Sequence, residues 1–176
     1  DMTFYSDYRR KVGHGTGIEY RYANSRDSEG KVFYNYFDTF DSTVRRWEFA
    51  FQDHEEFAED LSARIDINLV SDESYFRDLE KKLELRSRPY LDSNAFYVER
   101  WDTAALYLSG QYSTDLTQEN KNTIQKLPEL RYTIFEEKIA GPLHLNFEGS
   151  AANFTRQEGE DVQRAWRARL RGQPAV

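Results

Sequence analysis

Apolar and polar positions alternate along most of this chain. From Leu61 to Val70, residues Leu61, Ala63, Ile65, Ile67 and Leu69 share one parity, and Ser62, Arg64, Asp66 and Asn68 share the other. Alternate side chains of an extended chain point to opposite sides, so this run predicts a strand with one apolar and one polar face. The same rhythm sets Thr16, Ile18, Tyr20 and Tyr22 against Gly15, Gly17, Glu19 and Arg21. It sets Trp47, Phe49 and Phe51 against Arg46, Glu48 and Gln52, and Ala104, Leu106, Leu108 and Tyr112 against Thr103, Tyr107, Ser109 and Gln111, with Ala105 as the exception. Leu130, Tyr132 and Ile134 oppose Glu129, Arg131 and Thr133, while Leu143, Leu145 and Phe147 oppose His144, Asn146, Glu148 and Ser150. Trp166, Ala168 and Leu170 oppose Arg167, Arg169 and Arg171.

Turn and loop compositions fall between these runs, at residues 23–30, 52–60, 113–126, 138–142 and 156–161. Pro128 and Pro142 are expected at the first residue of a strand, where a missing N–H is tolerated. Residues 78–88 (DLEKKLELRSR) break the rhythm and predict a loop excursion or a short helix. Long alternating strands joined this way describe an all-β, antiparallel up-and-down meander of about ten strands.

Strand length bears on the class. Soluble strands cluster at about 5–6 residues. Ten residues reach roughly 33 Å, and a tilt of about 40° brings the height to ~25 Å, the apolar band of an outer-membrane barrel. Alternation does not say which way the sheet faces. Aromatics near strand ends (Tyr20, Tyr22, Trp47, Tyr112, Trp166) favour a transmembrane barrel with interfacial girdles over a soluble β-barrel or sandwich.

Composition narrows the field further. The 176 residues are 39% hydrophobic and 31% charged, too polar for a dense core, yet 15% aromatic, which argues against plain disorder. The longest apolar run, Ala104 to Leu108, is far short of the ~20 residues of a membrane helix. A net charge of −7 gives no general footing for nucleic acid. With no cysteine there is no disulfide, thiolate metal site or cysteine nucleophile in this segment. The chain opens on Asp1, with Met2 already inside a predicted strand, and so reads as a fragment of a longer product.

The search for catalytic chemistry returns little. His14, His54 and His144 lack metal-ligand spacing, and residues 13–17 (GHGTG) fit no phosphate loop; their glycines are read as giving a strand close approach or extra twist. No G-x-S-x-G elbow is present. The acidic stretch Asp53, Glu55, Glu56, Glu59 and Asp60 could offer oxygen ligands to Ca²⁺, but reads first as a solvated loop. Arg164, Arg167, Arg169 and Arg171 form a basic cluster, read as a polar face suited to a lumen or to phosphate groups. The chain is expected not to be an enzyme, and no cofactor or metal is implied.

Several short motifs, in order, carry a resemblance. They are Arg45-Arg46-Trp47 entering a strand and residues 70–78 (VSDESYFRD, with Ser71, Asp72, Tyr75 and Phe76) closing the strand from Leu61. Leu127-Pro128-Glu129-Leu130-Arg131 and the opening stretch from Asp1 through Tyr8-Arg9-Arg10 to Gly17–Tyr22 complete the set. Together, over about residues 1–155, they resemble the LptD family of LPS-assembly outer-membrane proteins, also called organic solvent tolerance proteins.

The resemblance implies a wide barrel of roughly two dozen strands in the outer membrane of a Gram-negative bacterium. Residues 1–176 would be a part of it, without the N-terminal jelly-roll domain, the first strand and the closing strand. It implies an LptE-type plug lipoprotein, lipopolysaccharide, the periplasmic Lpt bridge and outer-membrane lipid as partners, in translocation without bond chemistry. The match is expected to fade beyond Gly159, with residues 172–174 in a loop.

Under this reading the parities become faces. Glu19, Arg21, Ser62, Arg64, Asp66, Asn68, His144, Asn146 and Glu148 are expected to line a wet lumen, contacting the plug or passing amphiphile headgroups. Leu61, Ile65, Ile67, Leu130, Ile134, Leu143 and Leu145 are expected to face lipid. The alternative, from a different class, is a soluble lipocalin-type barrel closing into a cup around a small apolar ligand.

Overall fold

A computed structural model describes residues 1–40, 45–80, 82–117, 123–140, 143–158 and 161–175. Ten strands follow one another: β1 Met2–Arg9, β2 Gly13–Ala23, β3 Glu29–Thr39, β4 Arg45–Ala58, β5 Leu61–Val70, β6 Tyr90–Arg100, β7 Ala104–Asp115, β8 Gln125–Ala140, β9 Leu143–Glu158 and β10 Asp161–Ala175. They form one antiparallel sheet in sequence order, each strand paired with the one before it. The all-β meander read from the alternation is therefore the architecture. Among the described residues β1 and β10 are not paired with each other, so these strands close into no lipocalin-type cup.

Several boundaries differ from the sequence reading. Residues 52–58 are strand, not loop: β4 runs on to Ala58. Its alternation sends Asp53 and Glu55 to one side and Glu56 to the other, which breaks up the supposed oxygen-ligand loop. The excursion after β5 contains two short helices, α1 Tyr75–Leu79 and α2 Leu83–Arg86. Pro128 lies inside β8, where the register with β9 shifts between Lys126 and Glu129, a bulge that spares the ladder the missing N–H. Residues 172–174 belong to β10, not to a loop. Pro142 lies outside the described residues.

The core lies not between two sheets but under the β5–β6 excursion. Phe37 on β3 is covered by Tyr75, Phe76 and Leu79 of α1 and by Leu91 of β6, all buried. Val12, Val70, Leu85 and Leu116 pack around them. Leu91 reaches this cluster where the β5–β6 ladder ends at Asp66 and Asn94. One residue before Asn94, the Ser93 hydroxyl accepts from the Asn68 N–H (2.9 Å) and donates to the Asn68 carbonyl (3.0 Å) in place of a backbone partner. The rest of the sheet is open, with Phe4 73%, Trp166 73% and Leu170 76% exposed.

Candidate functional site

The register decides which residues share a face, because directly opposed residues of antiparallel strands project to the same side. Glu19 opposes Phe33, Phe33 opposes Ala50, and Ala50 opposes Asn68. From β5 the chain of partners runs Ser62–Val98–Tyr107–Arg131–Ser150. The nine polar positions Glu19, Arg21, Ser62, Arg64, Asp66, Asn68, His144, Asn146 and Glu148 therefore share one face. The same accounting puts Leu61, Ile65, Ile67, Leu130, Ile134 and Leu145 on the other. The backbone of Leu143 follows that parity, but its side chain lies outside the described residues.

On the polar face, Arg21, Lys31, Gln52 and Asp66 stand side by side across β2 to β5, with Glu29, His54 and Arg64 in the next row. These rows line a cavity of about 470 Å³. Arg21 (2.5 Å) and Lys31 (3.0 Å) both bind the nearly buried carboxylate of Glu19, so one acid holds two cations at its edge. Arg64 has no ion-pair partner among the described residues. Lys31 and His54 are cavity-lining residues that alternation alone did not select, and Gln52 was assigned only to the polar parity of its own strand; the cross-strand register places all three beside Arg21, Asp66 and Arg64. Asn146 and Glu148 lie apart, with Arg171 and Gln173 around a smaller cavity of about 200 Å³.

The best-organised cluster on this face is at the other end of the strands, around Arg46. Its guanidinium grips Asp72 with two parallel bonds (Nε to Oδ2 3.0 Å, Nη2 to Oδ1 2.7 Å), a fork geometry only arginine supplies. It also donates to Asp78 (3.1 Å) and to the Ser74 hydroxyl (3.0 Å), and lies 5.8 Å from the Tyr75 ring centroid. Asp72 in turn accepts from the hydroxyls of Ser71 and Ser74, both at 2.7 Å. Ser71 splices the loop to β4: its N–H donates to the Trp47 carbonyl (2.9 Å) and its hydroxyl accepts from the Trp47 N–H (3.1 Å). From β1, Arg9 donates to the Leu79 carbonyl (2.5 Å), and from β3 the Asn35 amide donates to the Tyr75 hydroxyl (2.9 Å).

Burial alone would raise the Asp72 and Asp78 carboxyls, but the hydrogen bonds from Arg46 and the serines, and from Arg77 to Asp78, outweigh it and hold both below the usual range. Burial, then the nearby Glu48 carboxylate, raises the Tyr75 phenol. The hub is thus an ionised, hydrogen-bonded strap across the polar face.

The strap gathers most of the motif residues singled out from the sequence. Arg46, Trp47, Ser71, Asp72, Tyr75 and Phe76 meet here, whereas Arg45 is exposed on the opposite parity. Leu127-Pro128-Glu129 forms a separate feature in which the Glu129 carboxylate binds Lys126 and Arg131 (3.5 Å for the latter). No group of three or more metal-ligating side chains occurs among the described residues.

Comparison with known proteins matches this chain to a family. The family model LptD, LPS transport system D, matches residues 43–172, which includes the Arg46 strap and runs past Gly159, beyond where the motifs alone carried the resemblance. The chain is similar to the LPS-assembly protein LptD of Alcanivorax borkumensis (strain SK2), 27% identical over 185 residues covering 100% of this chain. It is also similar to that of Pseudomonas aeruginosa (strain LESB58), 24% identical over 170 residues covering 92% of this chain. A shorter stretch, 42% of this chain, is 33% identical to the protein of Hahella chejuensis. The chain spans 18% of the Pseudomonas protein's length and 24% of the Alcanivorax protein's. With most of its length matched by the family model, the chain belongs to the LptD family.

Proposed function

We propose that this segment is wall and inner lining of an outer-membrane β-barrel that assembles lipopolysaccharide into the outer leaflet of a Gram-negative bacterium. It acts as a conduit, not as a catalyst. The carrying observation is the separation of faces: the register puts the nine polar positions together and leaves Leu61, Ile65, Ile67, Leu130, Ile134 and Leu145 on an opposite, mainly apolar face where none of them is buried. A soluble sheet hides such a face, while a membrane barrel presents it to lipid and keeps its polar side wet. Aromatics bracket that band. Tyr8, Tyr36, Trp47, Tyr112 and Trp166 lie toward one end of the strands, and Tyr20, Tyr22, Trp101 and Tyr132 toward the other, as interfacial girdles do.

In this reading the polar rows around Arg21, Arg64 and Asp66 are lumen wall, available to sugar and phosphate headgroups in transit. An LptE-type plug lipoprotein and the periplasmic Lpt bridge serve the whole protein. The facing is tested in the full-length protein by comparing Ile65→Arg with Arg64→Ala. A charge on the lipid face near the midplane costs about 2–4 kcal/mol. Ile65→Arg should therefore lower the yield of heat-modifiable, folded barrel in the outer membrane severalfold, while Arg64→Ala leaves it near wild type. Equal damage, or the reverse order, overturns the assignment.

A further inference from the structure

The β5–β6 excursion carries a feature that neither the strap nor the wall explains. Beyond the Arg46 hub, Arg77 of α1, Arg86 at the end of α2 and Arg88 just after it line one cavity of about 290 Å³. Phe76, 5% exposed, and Leu116 supply apolar wall, and Glu73 is the one carboxylate lining it. The arginines are incompletely neutralised. Arg77 reaches Asp78 at 3.3 Å, but that carboxylate also serves Arg46. Arg86 spends its Nε on the Arg77 carbonyl (3.0 Å), which ties the two together and leaves its other donors without a protein partner among the described residues. The Arg88 side chain has no partner there at all. In a chain of net charge −7, a pocket with three guanidinium groups and one carboxylate is a local reversal of sign.

The geometry points to a binding site for a phosphate or diphosphate group at this end of the sheet. Guanidinium forks match tetrahedral oxyanions with paired N–H donors. The apolar wall of Phe76 and Leu116 lowers the local dielectric and strengthens the attraction. The strap fixes the framework: Arg46 anchors α1, and α1 carries Arg77, so part of the ordering cost is met before an anion arrives. The proposed passage of lipopolysaccharide would present such phosphates, and the site deepens that reading; the anion chemistry itself stands without it.

The test uses the full-length protein in detergent micelles, with three probes: inorganic pyrophosphate, dispersed lipopolysaccharide, and the same lipopolysaccharide after enzymatic dephosphorylation. Wild type should bind the phosphorylated lipid about tenfold tighter than the dephosphorylated one for each charge-assisted contact made. The double variant Arg86→Gln/Arg88→Gln should lose that difference and leave binding of the dephosphorylated lipid unchanged. Both side chains are exposed, so folding is not at stake, and Arg88→Lys, which keeps charge but not the fork, should fall between. Competition by pyrophosphate marks a site for the free anion, and loss of the difference without competition marks one for lipid-borne phosphate. A phosphate preference that survives in the double variant overturns the site. Failure to bind either lipid while pyrophosphate still binds in an Arg86- and Arg88-dependent way removes the transport reading instead and leaves the anion site standing.

Discussion

At the scale of single residues, Arg46 holds the most consequential position. Its side chain is 10% exposed and meets two carboxylates that are 25% and 44% exposed. Breaking a fully buried pair costs about 3–5 kcal/mol, and the partial exposure of Asp72 and Asp78 reduces this to about 2–3 kcal/mol for Arg46→Ala. Hydrogen exchange across residues 71–89 should then quicken while the strands stay protected. Acid should act through the same groups. Both carboxyls are depressed in the folded state, so their contribution is complete above the ordinary carboxylate range and is lost as pH falls through their lower folded values. Protection of the loop amides, taken relative to their intrinsic exchange rate at each pH, should accordingly hold steady from neutral pH down to about 4 and fall below it, and Arg46→Ala should abolish that acid step. The sequence marks Arg46 only as a polar position of its strand and as part of a motif. Its role is not legible there, because the partners lie 26 and 32 residues away and nothing local marks them.

At the scale of elements, legibility followed the clarity of the two faces. β5 was read residue for residue because its parities are cleanly apolar and polar. β3 gave no such signal: Phe33, Tyr34, Tyr36 and Phe37 put aromatics on both sides, and Phe37 is inward only because α1 covers it. The tail of β4 looked like loop because it is charged on both parities. On the apolar side those charges are matched at the rim, where the Tyr22 hydroxyl donates to Asp53 and the Asn24 amide to Glu55 (2.9 Å). The glycines of β2 were read as giving close approach or extra twist, and Gly15 is a close approach: a Cβ there would stand 2.6 Å from the ring of Phe37, which is 1% exposed and caged by α1. Gly15→Ala should cost about 1–3 kcal/mol as overpacking. Gly172→Ala, with nothing within 4 Å, should leave the urea midpoint of the full-length protein unchanged. Equal midpoints for the two variants would show that the strap does not fix Phe37.

At the scale of the whole molecule, the two ends of the sheet differ, and under the proposed barrel-wall reading the difference sets its orientation. The β1–β2, β3–β4, β5–β6, β7–β8 and β9–β10 connections leave the strapped end, with up to 19 residues between strands (Val70 to Tyr90), and the β2–β3, β4–β5, β6–β7 and β8–β9 connections leave the other, with no more than five (Ala23 to Glu29). Outer-membrane barrels keep short turns on the periplasmic side and longer loops outside. Under the proposed barrel-wall reading, the strap and the arginine cavity belong at the cell surface, and the turns at Asp60 and Asp102 at the periplasm. The segment has no cysteine of its own, so an introduced thiol reports its position directly once thiols elsewhere in the full-length protein are blocked or replaced. Glu84→Cys, on the exposed side of α2 and outside the arginine cavity, should react with a membrane-impermeant maleimide on intact cells. Asp60→Cys and Asp102→Cys should react only after the outer membrane is permeabilised. The opposite pattern would turn the sheet over and put the strap at the periplasmic mouth, where an arriving lipid would meet Arg77, Arg86 and Arg88 first instead of last. Labelling of all three on intact cells would mean that the apolar face does not span a bilayer, and would count against the barrel-wall reading itself.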